Sequence, residues 1–384
     1  MIKQRLPNDW AIISFNFKTG DNAPQDKKYF LNGTYPFIRM QHTNNLKKNK
    51  YPKNKDYLND LAIKENNLTL FKKGSIILAK SGASIKSERK ALLEEDSYVV
   101  NHFAIIEPEN WFDYSYVYYY FYNFKLSSLL SETTTPSINL STYNKLKIPL
   151  PPLKEQQKIA EILSTVDEAI EKVENKIKTT ERIKKGLMDK LLTKGIGHTK
   201  FKETELGEIP FDWEVKKVSE IIEDKSKETY NVPKHNFLQK GKFPIVDQGQ
   251  TLVAGYTNIE KSFKEIPCIV FGDHTGIFKY IDFEFVCGAD GTKVLVSKNK
   301  NNTKFLYYSL IYSNFKTEGY RRHMALLREI KIKIPQLEEQ EKIVEILSSI
   351  DELIDSQKLE KERLERIKQG LMDDLLTGKV RVKI

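Results

Sequence analysis

Cysteine is almost absent from this chain of 384 residues, which has only Cys268 and Cys287. The two lack metal-ligand spacing and no secretory signal precedes them, so they are expected to be buried thiols and not a disulfide or a zinc site. Histidine is nearly as scarce. Its six residues are scattered, with no pair spaced on a helix to hold a metal. No run of about 18 apolar residues could cross a bilayer. No charged-then-apolar N-terminal stretch resembles a signal peptide, so the chain is expected in the cytoplasm.

Acidic residues are outnumbered. The net charge is +10, and the excess sits mainly in residues 1–150, where 21 basic residues face 14 acidic ones. The stretch RMQHTNNLKKNKYPKNK (39–55) holds Arg39, five lysines and no acid. Such a segment could meet phosphates and base edges, or it could be a solvated lysine-rich loop. With 40% hydrophobic residues, the chain has material for two or three folded domains.

What is abundant is repetition. EQQKIAEILSTVDEAI (155–170) returns as EQEKIVEILSSIDELI (339–354), and at a constant offset of 184 residues the match runs without a gap from Pro151 to Thr193. Of these 43 positions, 24 are identical. The apolar residues Ile159, Leu163, Val166, Ile170, Val173 and Ile177 alternate steps of four and three, the seam of a coiled coil, and Ile183, Leu187 and Leu191 are expected to extend it. Ile343, Leu347, Ile350 and Ile354 repeat the seam, before Gln357 and Lys361 interrupt it. Prolines mark both starts, and Gly195 and Gly378 lie just past both ends. Each copy is therefore expected to be one helix of about 60 Å at 1.5 Å per residue. A stripe that long needs a partner. The other copy is the expected one, antiparallel and within the same chain; packing on the adjacent domain or pairing between chains are the alternatives.

The segments before the helices echo each other more faintly, LPNDWAI (6–12) with IPFDWEV (209–215) and GTYPFI (33–38) with GKFPIV (241–246). Between tryptophan and proline the first spans about 141 residues and the second about 122, with the basic 39–55 stretch as the expected place for the surplus. The resulting division is a globular domain at 1–150, a long helix at 151–195, a second globular domain at 196–334, and a helix with its tail at 335–384. The fold class is α/β or α+β for the globular parts, with two long antiparallel coiled-coil helices in a pseudo-two-fold circular arrangement that brings the termini together.

IPLPPLKEQQKIAEIL and IKIPQLEEQEKIVEIL, each followed by a helix ending in GLMxxLLT, resemble the conserved regions of specificity subunits of type I restriction-modification systems. FGDHTGIFKY (271–280) and GADGTKVL (288–295) are similar to one type of target recognition domain of that family. The resemblance implies two such domains held apart by the helices, each reading half of a bipartite, asymmetric site in double-stranded DNA. It implies docking to two adenine methyltransferase subunits, which use S-adenosylmethionine, and to restriction subunits, which use ATP and Mg. It implies no catalytic site and no cofactor in the chain itself. The residues agree with that last point, since the sequence has no Asn-Pro-Pro motif, no glycine-rich cofactor loop and no Walker lysine loop.

Candidate DNA contacts in the first domain are Arg39, Gln41, His42, Asn44, Asn45, Lys47 and Lys48, because Arg pairs with guanine and Asn or Gln with adenine in the major groove, while Lys meets phosphate. In the second they are Gln248, Gln250, Asp273, His274, Thr275, Lys279, Arg321, Arg322 and His323. Gly272 and Gly276 bracket a turn that could lift side chains to a base, or form an ordinary hairpin. Glu155, Gln156, Glu339 and Gln340 are candidates for the methyltransferase interface if exposed, or else caps of the helix starts. The aromatic runs WFDYSYVYYYFYNF (111–124) and KFLYYSLIYSNF (304–315) are expected to be core, not base-stacking surfaces. Two rival functions are a scaffold that binds proteins without DNA, and an enzyme with an unrecognised site.

Overall fold

The computed structural model describes residues 6–44, 46, 50–130, 136–288, 291–298, 301–313, 315, 317, 319 and 322–384. They form two compact units: residues 1–175 with 359–384, and residues 176–358. Both long helices thread through both units, so unit boundaries fall inside helices and not at the domain borders expected from sequence.

In the first unit, β1 (Ala11–Ile13) pairs antiparallel with β10 (Ile148–Leu150). Between them lie β2 (Lys18–Thr19), β3 (Tyr35–Ile38), β4 (Asp56–Leu58), helix α1 (Asp60–Asn66), β5 (Leu70–Phe71), β6 (Ile76–Ala79), α2 (Ala83–Lys86), β7 (Lys90–Leu92), β8 (Ser97–Val99), β9 (Phe103–Ile106), α3 (Tyr114–Asn123) and α4 (Leu140–Asn144). They build two four-stranded sheets, ordered β2-β9-β6-β7 and β4-β3-β8-β5. Strand β6 is an unbroken apolar run buried at all four positions, as expected of a strand covered on both faces. Helix α3 is the tyrosine-rich run. Asp113 caps it, accepting from the Tyr116 N–H at 2.8 Å, and Tyr116, Val117, Tyr118, Tyr119 and Phe121 are buried, so the run is core as expected. Helix α5 (Leu153–Leu191) then begins two residues after Pro151.

The second unit repeats the plan. A hairpin, β11 (Phe201–Thr204) with β12 (Gly207–Pro210), leads to β13 (Glu214–Lys217), α6 (Val218–Ile221), β14 (Ile222–Asp224), β15 (Asn231–Val232), β16 (Phe243–Val246), β17 (Gly255–Thr257), β18 (Cys268–Gly272), β19 (Phe278–Ile281), β20 (Val286–Gly288), β21 (Thr292–Ser297), α7 (Thr303–Tyr312), α8 (Met324–Glu329), β22 (Lys331–Ile334) and α9 (Leu337–Leu375). The sheets run β14-β21-β18-β19 and β17-β16-β20-β15, and β13 pairs with β22 as β1 pairs with β10. The faint echo at 33–38 and 241–246 thus marks equivalent strands, β3 and β16. Seventeen residues separate β3 from β4 and eight separate β16 from β17, so the basic stretch holds about half of the surplus; α1 and α2 hold much of the rest. Both cysteines are free and fully buried in the second unit.

Within each unit α5 and α9 pack side by side. In the first unit Asp167 meets Lys368 at 2.6 Å and Glu174 meets Lys361 at 3.1 Å; one helix ascends as the other descends, so the segments are antiparallel. In the second unit the equivalent pair is Lys184 with Asp351, at 2.5 Å. Each aspartate also accepts a tyrosine hydroxyl from the helix before it, Tyr119 to Asp167 at 2.6 Å and Tyr308 to Asp351 at 2.7 Å. The expected seam holds through Ile177, and of its expected extension Leu191 is buried and Leu187 half-buried, while Ile183 is half exposed because it falls between the steps of three and four that lead from Ile177 to Leu187 and Leu191; Thr180 and Met188 join the buried line.

The Pro-x-Asp-Trp echo also has a structural cause. The indole N–H of Trp10 donates to Glu155 Oε2 at 3.2 Å, and that of Trp213 to Glu339 Oε2 at 2.8 Å. A basic side chain closes each group. Arg381 bridges Glu155 (2.6 Å) and Asp9 (2.7 Å), and His198 bridges Glu339 (2.9 Å) and Asp212 (3.3 Å). Both segments that follow the long helices reach these clasps through a glycine at positive φ, Gly378 at 73° and Gly195 at 65°, where a Cβ would strike Pro7 or Glu339 respectively. The expected meeting of the two ends of the sequence is therefore present in the first unit, as Arg381 on Asp9.

Candidate nucleic-acid interface

At one edge of each unit the strand connections converge. In the second unit these are the β16–β17 loop, the β18–β19 turn, the β20–β21 turn and the segment before α8. Three buried side chains hold them. Lys279 donates to the carbonyls of Asp247 and Thr251, both at 2.6 Å. Asp273 Oδ1 accepts the backbone N–H groups of His323 (2.8 Å) and Met324 (2.7 Å), capping α8 from fifty residues away. His323 Nδ1 contacts the Asp273 carbonyl oxygen at 2.9 Å.

These geometries correct three expectations. Asp273, Lys279 and His323 are almost wholly buried, so they build the edge and do not face a ligand. Burial holds the Lys279 ammonium below its usual range despite Asp247 nearby. Gln250, Thr275 and Arg322 are exposed, and Gln248 and His274 half-buried. Gln248 Oε1 accepts from the His274 N–H at 3.3 Å, and the Thr275 hydroxyl donates to the Gln248 carbonyl at 2.8 Å, so the bracketed turn is pinned to the neighbouring loop. Arg321 lies outside the described residues.

In the first unit the basic stretch is less open than its composition suggests. His42 is buried, its Nδ1 accepting from the Arg39 N–H at 3.0 Å, and burial lowers its basicity, which corrects its assignment as a contact. Arg39 pairs with Asp56 at 2.7 Å between the rings of Phe30 and Phe37. Lys50 donates to Ser164 at 3.0 Å and Lys55 to Glu95 at 2.5 Å, so these charges are also spent internally. Gln41 and Asn44 are exposed; Asn45, Lys47 and Lys48 lie outside the described residues. The same edge includes residues the sequence did not single out. Ser81 and His102 meet at 2.7 Å, Arg89 donates to the Met40 carbonyl at 3.0 Å, and Lys86 is exposed on α2.

The four interface candidates on the helices are also corrected. Glu155, Gln156 and Gln340 are buried, and the side chain of Glu339 is only 13% exposed within its clasp. Gln156 accepts from the Asp113 N–H (2.8 Å) and donates to the Pro151 carbonyl (2.8 Å), while Gln340 accepts from Asn302 N–H (2.9 Å) and donates to the Pro335 carbonyl (2.9 Å). They tie each helix start to the core, as the alternative reading had it. Among the described residues, His198, Asp212 and Glu339 are close enough to hold a metal, but the imidazole lies between the two carboxylates it already bridges.

The edge is thus a pair of polar loop clusters on two repeats of one plan, and relatives share that plan. The chain is 30% identical to the type I restriction enzyme MjaVIII specificity subunit of Methanocaldococcus jannaschii, over 99% of this chain and 95% of the relative. Its fold matches the type I restriction-modification S subunit of M. genitalium with a TM-score of 0.62 at 18% identity, covering all of both chains. A chain from a structure addressing complex assembly and conformational transition of the type I R-M system matches with a TM-score of 0.57 at 15% identity, over 98% of this chain and 100% of the other. The model of the type I restriction modification DNA specificity domain matches twice, at residues 15–182 and 210–368, once on each sheet-bearing half. With both halves and the helices between them accounted for, the chain belongs to the type I restriction-modification DNA specificity family.

Proposed function

We propose that this chain is the DNA-reading subunit of a type I restriction-modification complex, each unit reading one half of a bipartite, asymmetric site. The observation that carries this reading is the duplication of the loop edge on a duplicated frame, with different side chains at equivalent positions. Recognition comes from the edges, and the chain supplies no catalytic group of its own. Chemistry falls to partners: two methyltransferase subunits that methylate adenine at N6 with S-adenosylmethionine, and restriction subunits driven by ATP and Mg. Among the described residues no helix is long and apolar enough to cross a membrane, and we place the complex in the cytoplasm.

The helices set the spacing and the edges the sequence, because half-sites on one face of B-DNA lie about one turn, 34–36 Å, or a multiple apart. A four-residue insertion in the middle of α5 is expected to change the preferred gap and leave both half-sites intact. The deciding experiment is a genome-wide N6-methyladenine map of the host with and without the gene. A split motif that vanishes on deletion supports the reading; an unchanged map in cells that express the methyltransferase, together with DNA binding indifferent to salt, refutes it.

A further inference from the structure

The two units can be superposed position by position at the edge through backbone hydrogen bonds. Lys80 donates its N–H to the His102 carbonyl (3.0 Å) and accepts the Ile138 N–H (2.8 Å); Asp273 donates to the Gly291 carbonyl (2.7 Å) and accepts the His323 N–H (2.9 Å). Position 81 therefore answers 274, and 102 answers 291. In the first unit these are serine and histidine, and in the second histidine and glycine. Each pair holds one imidazole and one small residue, with the order reversed.

The fit is steric as well as formal. A Cβ at Gly291 would lie 2.6 Å from Cδ2 of the His274 ring, and 3.1 and 3.2 Å from the Gln248 amide atoms. Gly291 also has a φ of 87°, which side chains rarely adopt. The imidazole of His274 therefore occupies the space that a side chain at 291 would need. In the first unit that side chain exists, as His102, and its partner position has shrunk to Ser81, whose hydroxyl meets His102 Nδ1 at 2.7 Å. His102 is exposed and His274 half-buried. The Ser81 hydroxyl, able to donate or accept, holds the His102 ring in place and leaves its other nitrogen to act as donor or acceptor.

We propose that His102 and His274 are equivalent base-reading groups, one per half-site, set across the same two backbone positions from opposite members of the pair. Ser81 is a positioning residue for His102, and Gln248 for His274. The inference rests on the DNA-reading function above and adds the residues that discriminate bases.

The test uses the full chain with its methyltransferase partner and maps methylation for His102→Ala, His274→Ala and Ser81→Ala. The half-site belonging to the first unit is identified beforehand by exchanging residues 1–150. His102→Ala is expected to relax one or two adjacent positions of that half-site only, with methylation of sites carrying a wrong base there rising roughly tenfold, as for one lost base contact. His274→Ala is expected to do the same in the other half-site. Ser81→Ala is expected to relax the same position as His102→Ala by a smaller factor. Where an alanine variant loses all methylation, His102→Asn or His274→Asn decides, by relaxing the same positions with an unchanged melting temperature. A split wild-type motif that every variant leaves intact overturns this proposal while leaving the function standing. A wild-type chain that directs no motif overturns the function itself.

Discussion

Alkaline pH is expected to unfold the first unit well before the second. Tyr116, Tyr118, Tyr119 and Tyr143 are fully buried in the first unit, and Tyr308 is fully buried in the second. Burial, first of all, raises the pKa of each. Tyr116, Tyr119 and Tyr143 also spend their hydroxyls on Pro149 (3.2 Å), Asp167 (2.6 Å) and Ala79 (2.7 Å). A raised folded pKa means that the native state keeps a proton which the unfolded chain loses above about pH 10. Stability is therefore whole below pH 10 and falls as pH rises. At pH 11 each such tyrosine stabilises the unfolded state by about 1.4 kcal/mol. Four tyrosines cost the first unit about 6 kcal/mol, comparable to the whole stability of an ordinary domain, and Tyr308 together with the half-buried Tyr312, pushed up to about 12, costs the second about 3 kcal/mol. Lys50, Lys90, Lys279 and Lys333, all lowered by burial, act with the opposite sign, but their contribution levels off above about pH 10.5, where the unfolded lysines have also lost their protons. Pulse proteolysis at stepped pH, with fragments identified by mass and the tyrosinate absorption followed in parallel, would resolve the units. Equal resistance of both to the same pH, or ionisation of all tyrosines near pH 10 in a still-folded protein, would refute the reasoning.

Three further outcomes follow from the geometry. Arg381→Ala leaves the buried Glu155 carboxylate with only the Trp10 indole, and is expected to cost the first unit about 3 kcal/mol, read as a fall of roughly 9 °C in its melting transition. Asp273→Ala strips two buried N–H groups of their acceptor and is expected to destabilise the second unit by about 2–4 kcal/mol, whereas Asp273→Asn, which keeps an oxygen there, costs less than half of that in a denaturant titration. Burial pushes the Cys268 thiol up to about 12 and Cys287 up to about 11, so both are expected to resist alkylation in the native state at neutral pH and to react promptly in denaturant; rapid native labelling would contradict this burial.

Much of the frame was legible because it is written twice. The helix repeat keeps its length even where its letters diverge, and length alone keeps Asp167 opposite Lys368 and Lys184 opposite Asp351. The tryptophan echo marked a place where something recurs, although its partner, a glutamate 145 residues away in the first unit and 126 in the second, cannot be seen from spacing. The edge was harder to read because composition reports solubility, not direction. Lys279 and Asp273 have side chains suited to DNA, yet their partners are backbone groups of distant loops, and only the fold brings those within reach. Ser81 and His102 were missed for the converse reason. KSG and DHT share no letter, and their equivalence exists only in the register of the β6–β9 and β18–β21 ladders.

The threading of the long helices has a consequence for the order in which the protein is made. The second unit is one continuous stretch of chain, 176–358, whereas the first is split, with its closing piece, 359–384, translated after the second unit. That piece supplies Met372, Leu375 and Leu376 to the first core and Arg381 to its clasp. A nascent chain therefore completes its second unit while the first still lacks part of its core and the cation of Glu155. The half whose synthesis begins first is the half whose core closes later, once residues 359–384 have followed the second unit.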